Sequence, residues 1–102
     1  VEASLVGKES CFALKVSGDS MMNADILDGD VVVVRKQQLA VSGEIVVACI
    51  DGEVTVKRLD VTRDAIRLTP ENPIFQPIVV KPSQDLKILG KVIATRRVIA
   101  AL

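Results

Sequence analysis

The sequence contains no histidine, tryptophan or tyrosine, and its 102 residues include only two phenylalanines and two cysteines. The lack of histidine excludes a Ser-His-Asp hydrolytic triad. Because the cysteines also form no CxxC pair, the chain has too few of the usual ligands for a zinc site, and we expect neither a metal nor another cofactor. Cys11 and Cys49 stand alone in apolar stretches, which is typical of reduced thiols in a cytoplasmic protein.

A surplus of charge of one sign is also missing, because thirteen basic and thirteen acidic residues are mixed along the chain. Domains that bind nucleic acid usually carry a basic patch, and those that bind single strands add aromatic stacking platforms. We therefore expect this domain to make no direct contact with DNA or RNA. Apolar runs such as 45–50 are far too short to span a bilayer, and residues 1–10 show no secretory signal pattern. These two absences predict no membrane association.

Valine and isoleucine are abundant instead, in short runs that Gly, Asp, Asn and Pro interrupt about every ten residues. This pattern predicts an all-β (mostly β) antiparallel fold, and the length predicts a single domain over residues 1–102. One short turn at 20–23 is the only helical candidate. Four prolines between residues 70 and 82 indicate an irregular connection. The predicted strands are 12–16, 31–36, 44–50, 53–61, 65–69, 78–80 and 86–97, the last with a bend at Gly90.

One hairpin has a register that follows from the sequence alone. The pair Asp51-Gly52 separates two strand-like runs and is a strong signal for a two-residue type I′ turn. Counting outward from that turn places Val46 opposite Lys57. Alternation along the strand puts the Thr55 hydroxyl on the same face as the lysine, two residues away, among aliphatic neighbours. This hairpin therefore predicts an unusually apolar setting for a lysine.

Ser20 lies in a tight turn of sequence "SGDS" between two apolar runs. A serine is a poor nucleophile unless a base takes its proton, and without histidine the remaining candidate is a neutral lysine. Lysine has a reference pKa of about 10.4, so burial must first destabilise the ammonium of Lys57. On these residues alone, an N-capping or turn role for Ser20 and a solvated strand position for Lys57 both stay open. The stretch 28–30 is typical of a plain turn into the next strand.

Four blocks follow one another along the chain: "VSGDSM" followed by "ILDGDVVVV", then "GEIVVACIDGEVTVKRL", "LTPENPIFQPIVV" and "LKILGKVIA". Together they resemble the LexA and UmuD type of self-cleaving Ser–Lys peptidases, a family that includes the C-terminal domains of phage repressors. The similarity runs from about residue 12 to residue 97, and the last two blocks look closer to LexA repressors than to UmuD. The separation from Ser20 to Lys57 also suits the family.

The resemblance implies a small, strongly bent antiparallel sheet of the LexA and signal-peptidase type, acting as a serine endopeptidase. Ser20 would be the nucleophile and Lys57 the neutral general base. Ser20 and Met21 would supply backbone N–H groups to the oxyanion hole, and Thr55 would help to orient the amine. The family's substrate is a bond of its own chain, usually Ala-Gly. No Ala-Gly pair occurs here, so we expect the cleavage-site segment to lie outside this chain.

The resemblance also implies partners and a biological role. We expect a homodimer, cleavage stimulated by a RecA filament on single-stranded DNA, and operator binding only through an N-terminal helix-turn-helix domain outside this chain. Cleavage would then derepress DNA-damage genes in the SOS response. The alternatives are a UmuD-type accessory subunit of a translesion polymerase and a phage repressor dimerisation domain. In these the fold serves chiefly for assembly, with the long last strand as a pairing edge.

Overall fold

A computed structural model describes the chain from residue 10 to residue 97. Residues 1–9 and 98–102 lie outside the described part, and with them nearly all of the stretch considered for a secretory signal. The all-β prediction is confirmed, and each predicted strand agrees with an observed one to within one residue at either end. Within the described residues, no helix has the length and apolar character needed to cross a membrane. The elements are β1 (Cys11–Lys15), a 3₁₀ turn (Met22–Ala24), β2 (Val31–Lys36), β3 (Ile45–Ile50), β4 (Glu53–Val61), β5 (Ile66–Thr69), β6 (Ile78–Val80) and β7 (Leu86–Arg96).

The long last strand, β7, lies inside the sheet and not at its edge. The seven strands within residues 10–97 form one sheet in the order β1-β2-β7-β3-β4-β5-β6, and every pair is antiparallel. Residues 90–96 pair with β2 and residues 86–91 pair with β3. The predicted pairing edge is therefore wrong for most of β7. Within β7, only the segment 92–96 has no neighbouring strand among the described residues on the side that faces β3.

The central hairpin has the predicted register. Val46 lies opposite Lys57 and Ala48 opposite Thr55. The Asp51-Gly52 turn has φ values of +50° and +87°, and a type I′ turn requires positive φ at both of its central residues. The turn thus fixes the pairing of β3 with β4, and with it the face on which the lysine emerges.

The sheet is strongly bent, as its two separate cores show. Three consecutive residues of β3 are completely buried, so this strand is covered on both faces. Side chains from β6 and β7, which flank β3–β5 on opposite sides, pack against the same second core, and this requires the sheet to curl. The first core comprises Val16, Met21, Ile26, Val32, Val34, Val47 and Val56, and the second Val46, Ala48, Leu59 and Leu68.

Candidate active site

Ser20 lies in the connection between β1 and β2, residues 16–30, which we call the serine loop. The loop is closed at its base, where the Val16 N–H donates a 2.8 Å hydrogen bond to the Asp30 carbonyl. Immediately after the serine, the Met21 side chain inserts into the first core and is only 1% exposed. Because Met21 is anchored in the core and the two ends of the serine loop are bonded together, Ser20 is held in place although it lies outside any strand.

Lys57 extends from β4 to the serine loop and joins the two halves of the predicted site. Its Nζ lies 3.0 Å from Ser20 Oγ, although the two residues are 37 positions apart in the chain. The same nitrogen donates to Thr55 Oγ1 at 2.6 Å and to the Val56 carbonyl at 3.2 Å. The structure therefore brings together the predicted nucleophile, the predicted base and the predicted orienting hydroxyl.

The surroundings of Lys57 suit a neutral amine. A neutral amine has two hydrogens and one lone pair, and Nζ has three polar neighbours. As an ammonium, Lys57 can donate to all three oxygens; as a neutral amine it can donate to the Val56 carbonyl and the Thr55 hydroxyl and keep its lone pair for the Ser20 O–H. Burial lowers the pKa of Lys57 below the ordinary 10.5, because desolvation disfavours the ammonium. Within residues 10–97 no carboxylate pairs with this nitrogen to oppose that effect.

Two backbone N–H groups beside the serine hydroxyl have no hydrogen-bond partner among residues 10–97. The N–H groups of Ser20 and Met21 donate no hydrogen bond to any described residue. The 3₁₀ turn that follows begins at Met22, two residues later than the sequence pattern predicted. Donors left open next to a nucleophile are what an oxyanion hole requires.

A cleft of about 240 Å³ opens beside the serine. One wall is the beginning of β4, where β5 does not reach, because β5 pairs with β4 only at residues 58–61. The edge of β4 at residues 54–56 is therefore open within the described chain. An extended peptide can add to such an edge through backbone hydrogen bonds. The other lining residues are Leu14, Lys15, Val16, Ser17, Ser20 and Met21.

The connection after β5 contributes to the site, and the sequence analysis missed it. We call residues 70–75 the strap loop. Its Glu71 N–H donates to the Ser20 carbonyl at 2.8 Å, and its Asn72 side chain donates to the serine loop. The Glu71 carboxylate forms a 2.9 Å ion pair with Arg58, which follows Lys57 on β4. Prolines had suggested only an irregular connection here, but the polar Glu-Asn pair between Pro70 and Pro73 was the available signal.

Asp30 is more than part of the plain turn that the sequence predicted for residues 28–30. Its carboxylate is buried and bonds both to the Arg97 guanidinium, at two distances of 3.0 Å, and to the Leu27 N–H. The hydrogen bond from Arg97 is the main reason that the pKa of the Asp30 carboxyl is lowered. Arg97 also bonds to Asp25, so the end of β7 is tied to the serine loop. These contacts join residues 67 and 72 positions apart.

The comparisons with known proteins point in the same direction as the geometry. The profile of the "Peptidase S24-like" family matches residues 1–93. Similar curated proteins are called "LexA repressor": that of Oleidesulfovibrio alaskensis is 53% identical over 96% of this chain, and that of Magnetococcus marinus 58% identical over 91%. The protein of Caldicellulosiruptor saccharolyticus is 54% identical over 91%. The chain spans less than half the length of these three relatives, namely 47%, 40% and 45%. The family resemblance predicted from the four blocks is confirmed.

Proposed function

Because this chain belongs to the peptidase S24-like family, we propose that it is the C-terminal self-cleavage domain of a LexA-type repressor and acts as a Ser–Lys endopeptidase. The observation that carries the proposal is the 3.0 Å contact between Lys57 Nζ and Ser20 Oγ, with the lysine half-buried and without a carboxylate partner among the described residues. A hydroxyl beside a desolvated amine is the arrangement in which a lysine can act as a general base.

The mechanism begins with proton transfer from the Ser20 hydroxyl to the neutral amine of Lys57. The serine oxygen then attacks the scissile carbonyl, and the negative charge on the carbonyl oxygen is stabilised by the N–H groups of Ser20 and Met21. The Lys57 ammonium returns its proton to the leaving amine, which departs and leaves an acyl-enzyme. Water, deprotonated by the same lysine, hydrolyses that ester and regenerates the serine. Thr55 and the Val56 carbonyl hold the two N–H groups of the amine throughout.

The substrate would be an extended segment that adds to the open edge of β4 at residues 54–56. Backbone pairing there would place a peptide bond in the cleft beside Ser20. The resemblance to LexA-type peptidases implies a small residue, alanine, next to the scissile bond. We propose an Ala-Gly bond of a longer parent chain as the natural target.

The test supplies that bond in trans, since the chain itself contains no Ala-Gly pair. We expect the protein to cut a synthetic Ala-Gly peptide slowly, and Ser20→Ala or Lys57→Ala to lower the rate by at least about 100-fold. Ser83→Ala and Lys81→Ala are matched controls, because both residues are exposed in the turn before β7. Cleavage that persists in Ser20→Ala would contradict the proposal.

The regulation and partners that we propose belong to the longer parent. A RecA filament on single-stranded DNA would stimulate cleavage, and separation from an N-terminal operator-binding domain would derepress DNA-damage genes in the cytoplasm. The alternatives are a UmuD-type polymerase subunit and a phage repressor dimerisation domain. Stimulation by the filament is tested by measuring the cleavage rate of the full-length parent with and without RecA, single-stranded DNA and ATP. A rate that the filament does not change would contradict it.

A homodimer is the second proposed role, and the open side of β7 at residues 92–96 favours it. Ile93 is exposed within this segment, beside backbone groups that have no strand on the β3 side among the described residues. Sedimentation equilibrium of the wild type and of Lys57→Ala distinguishes assembly from catalysis. A dimer in both would support an independent assembly role, whereas a monomer at all tested concentrations would contradict it.

A further inference from the structure

The strap loop makes three hydrogen bonds to the serine loop. The Glu71 N–H donates to the Ser20 carbonyl at 2.8 Å, and the Asn23 N–H donates to the Glu71 carbonyl at 2.8 Å. The third bond runs from Asn72 Nδ2 to the Asp19 carbonyl at 2.9 Å. The first two use only the backbone, so Asn72 provides the one side chain among the three donors.

The Asn72 side chain is itself fixed in orientation. It is only 6% exposed, and its Oδ1 accepts a hydrogen bond from the Ile74 N–H at 3.2 Å. The backbone carbonyl of Asn72 accepts a separate bond from the Phe75 N–H at 3.1 Å, which fixes the backbone at this position. Because an N–H can be bonded only by the amide oxygen, the contact with Ile74 leaves Nδ2 as the atom that faces Asp19.

The carbonyls that the strap loop holds belong to the two peptide units that carry the free N–H groups. In a trans peptide the C=O and the N–H point in opposite directions, and the described chain contains no cis peptide. The Asp19 carbonyl shares its peptide unit with the Ser20 N–H, and the Ser20 carbonyl shares its unit with the Met21 N–H. The bond from Asn72 therefore sets the direction of the first N–H, and the bond from Glu71 sets that of the second.

We infer that Asn72 is a positioning residue for the oxyanion hole: through the Asp19 carbonyl it holds the Ser20 N–H in the direction of the developing negative charge. This inference rests on the proposed function. Donors of this kind stabilise a transition state because they are oriented before the charge appears. The Asp19 carbonyl receives one further bond, from the Met22 N–H at 3.1 Å, within the same turn. Asn72 is the partner of this carbonyl from outside that turn, and together with the two backbone bonds of Glu71 it fixes the turn relative to the strap loop.

An oxyanion-hole role predicts a different kinetic signature from a role in folding or in base activation. Loss of the hole slows the chemical step for every folded molecule. It does not change peptide binding, and it does not move the pH at which Lys57 loses its proton. A role through Lys57 would move that pH, and a role in folding alone would lower the folded fraction and leave the rate per folded molecule unchanged.

The experiment compares Asn72→Asp and Asn72→Ala with the wild type in the cleavage of a synthetic Ala-Gly peptide. Aspartate keeps the size of the side chain and the acceptor for the Ile74 N–H, but once ionised it cannot donate to Asp19. We expect kcat per folded molecule, normalised by circular dichroism, to fall about tenfold to 100-fold in both variants with KM unchanged. The pH midpoint of Asn72→Ala, which adds no charge, should match the wild type. Gln76→Glu, an exposed amide-to-acid change in the neighbouring residues, is the matched control.

Wild-type kcat per folded molecule in both Asn72 variants would overturn the inference, and so would a shifted pH midpoint in Asn72→Ala. The failure of this inference can be told from the failure of the proposed function. Cleavage that survives Ser20→Ala would remove the proposed function itself. Full activity of Asn72→Ala that still requires Ser20 would remove only this inference.

If the Asn72 variants do not fold, the test is a crystal structure of the wild type with a bound peptide boronate. The boronate oxygen is expected about 2.7–3.1 Å from the Ser20 and Met21 nitrogens, with the Asn72 contact intact. An oxygen placed elsewhere, or a broken contact, would refute the inference.

Discussion

Replacing Lys57 by arginine separates a lysine that acts as a base from one that only contributes positive charge. Both side chains are long and can carry a positive charge, but a guanidinium has a much higher pKa than an ammonium and does not lose its proton in proteins. Burial lowers the pKa of Lys57 because desolvation disfavours the ammonium. As the pH rises, the neutral amine therefore becomes the main form before the pH reaches the ordinary lysine pKa of 10.5. The wild type can therefore reach the active form within a usable pH range, and Lys57→Arg cannot.

The expected size of the effect follows from that titration. Below the pKa, the neutral fraction of the amine rises about tenfold for each pH unit, so the cleavage rate should rise with the same slope and then level off before about pH 10.5. Positioned general bases contribute about 100-fold to 10,000-fold, so Lys57→Arg should lose at least about 100-fold at the plateau. That loss corresponds to about 2.7 kcal/mol of transition-state stabilisation.

The assay follows cleavage of the Ala-Gly peptide from about pH 6 to about pH 10, with far-ultraviolet circular dichroism at each pH to show that the fold persists. Lys81→Arg, the same change at an exposed lysine, is the control and should follow the wild-type profile. A wild-type rate that does not vary across this range would refute the assignment of Lys57 as the base. So would a Lys57→Arg variant within tenfold of the wild type.

Three further predictions concern the surroundings of the pair. Thr55→Val removes the 2.6 Å hydrogen bond to the amine and should lower kcat about threefold to tenfold, with Thr55→Ser restoring it, as peptide kinetics will show. The Arg97 contact holds the pKa of the Asp30 carboxyl below its ordinary value of 3.8. The contact therefore stabilises the folded state fully above pH 3.8, and this stabilisation is lost as the pH falls through the lowered pKa. Urea unfolding should thus find Asp30→Asn less stable than the wild type at pH 7, by a margin that shrinks below about pH 4; a margin independent of pH would contradict this. Gly90→Ala places a Cβ 2.5 Å from a Val34 methyl and against the backbone of Arg35. Thermal unfolding should show that the free energy of unfolding falls by about 1–3 kcal/mol, and an unchanged stability would contradict this close approach.

The parts of the fold that the sequence could predict are those that local chemistry determines. Asp51-Gly52 favours a type I′ turn, and that turn fixes which residues of β3 and β4 face each other. The apolar setting of Lys57 followed from the same register. The meeting of Ser20 with Lys57 did not follow from spacing, because residues 37 positions apart carry no local pairing signal. The lack of histidine and the apolar setting made Lys57 the candidate base for Ser20, and the family resemblance then favoured their contact over the alternatives.

The parts that the sequence could not predict depend on contacts between distant segments. β7 occupies the middle of the sheet because it pairs with β2 and β3 at once, and strand patterns do not encode such an order. The contact of Asn72 with Asp19 spans 53 positions, and that of Arg97 with Asp30 spans 67. A single polar residue has no periodicity, so alternation of apolar residues finds cores and strands but misses these connections.

The geometry of the site depends on three segments, and the strap loop contacts both the serine loop and β4. A hydroxyl on a loop and an amine on a strand stay at hydrogen-bond distance only if the loop and the strand keep a fixed relation. Glu71 provides a direct link, because its N–H binds the Ser20 carbonyl and its carboxylate pairs with Arg58, the residue after Lys57. The ion pair is partly exposed and therefore contributes little to stability by itself. Because this ion pair joins the segments that carry Ser20 and Lys57, we expect its loss to displace these two residues relative to each other while changing the free energy of unfolding little.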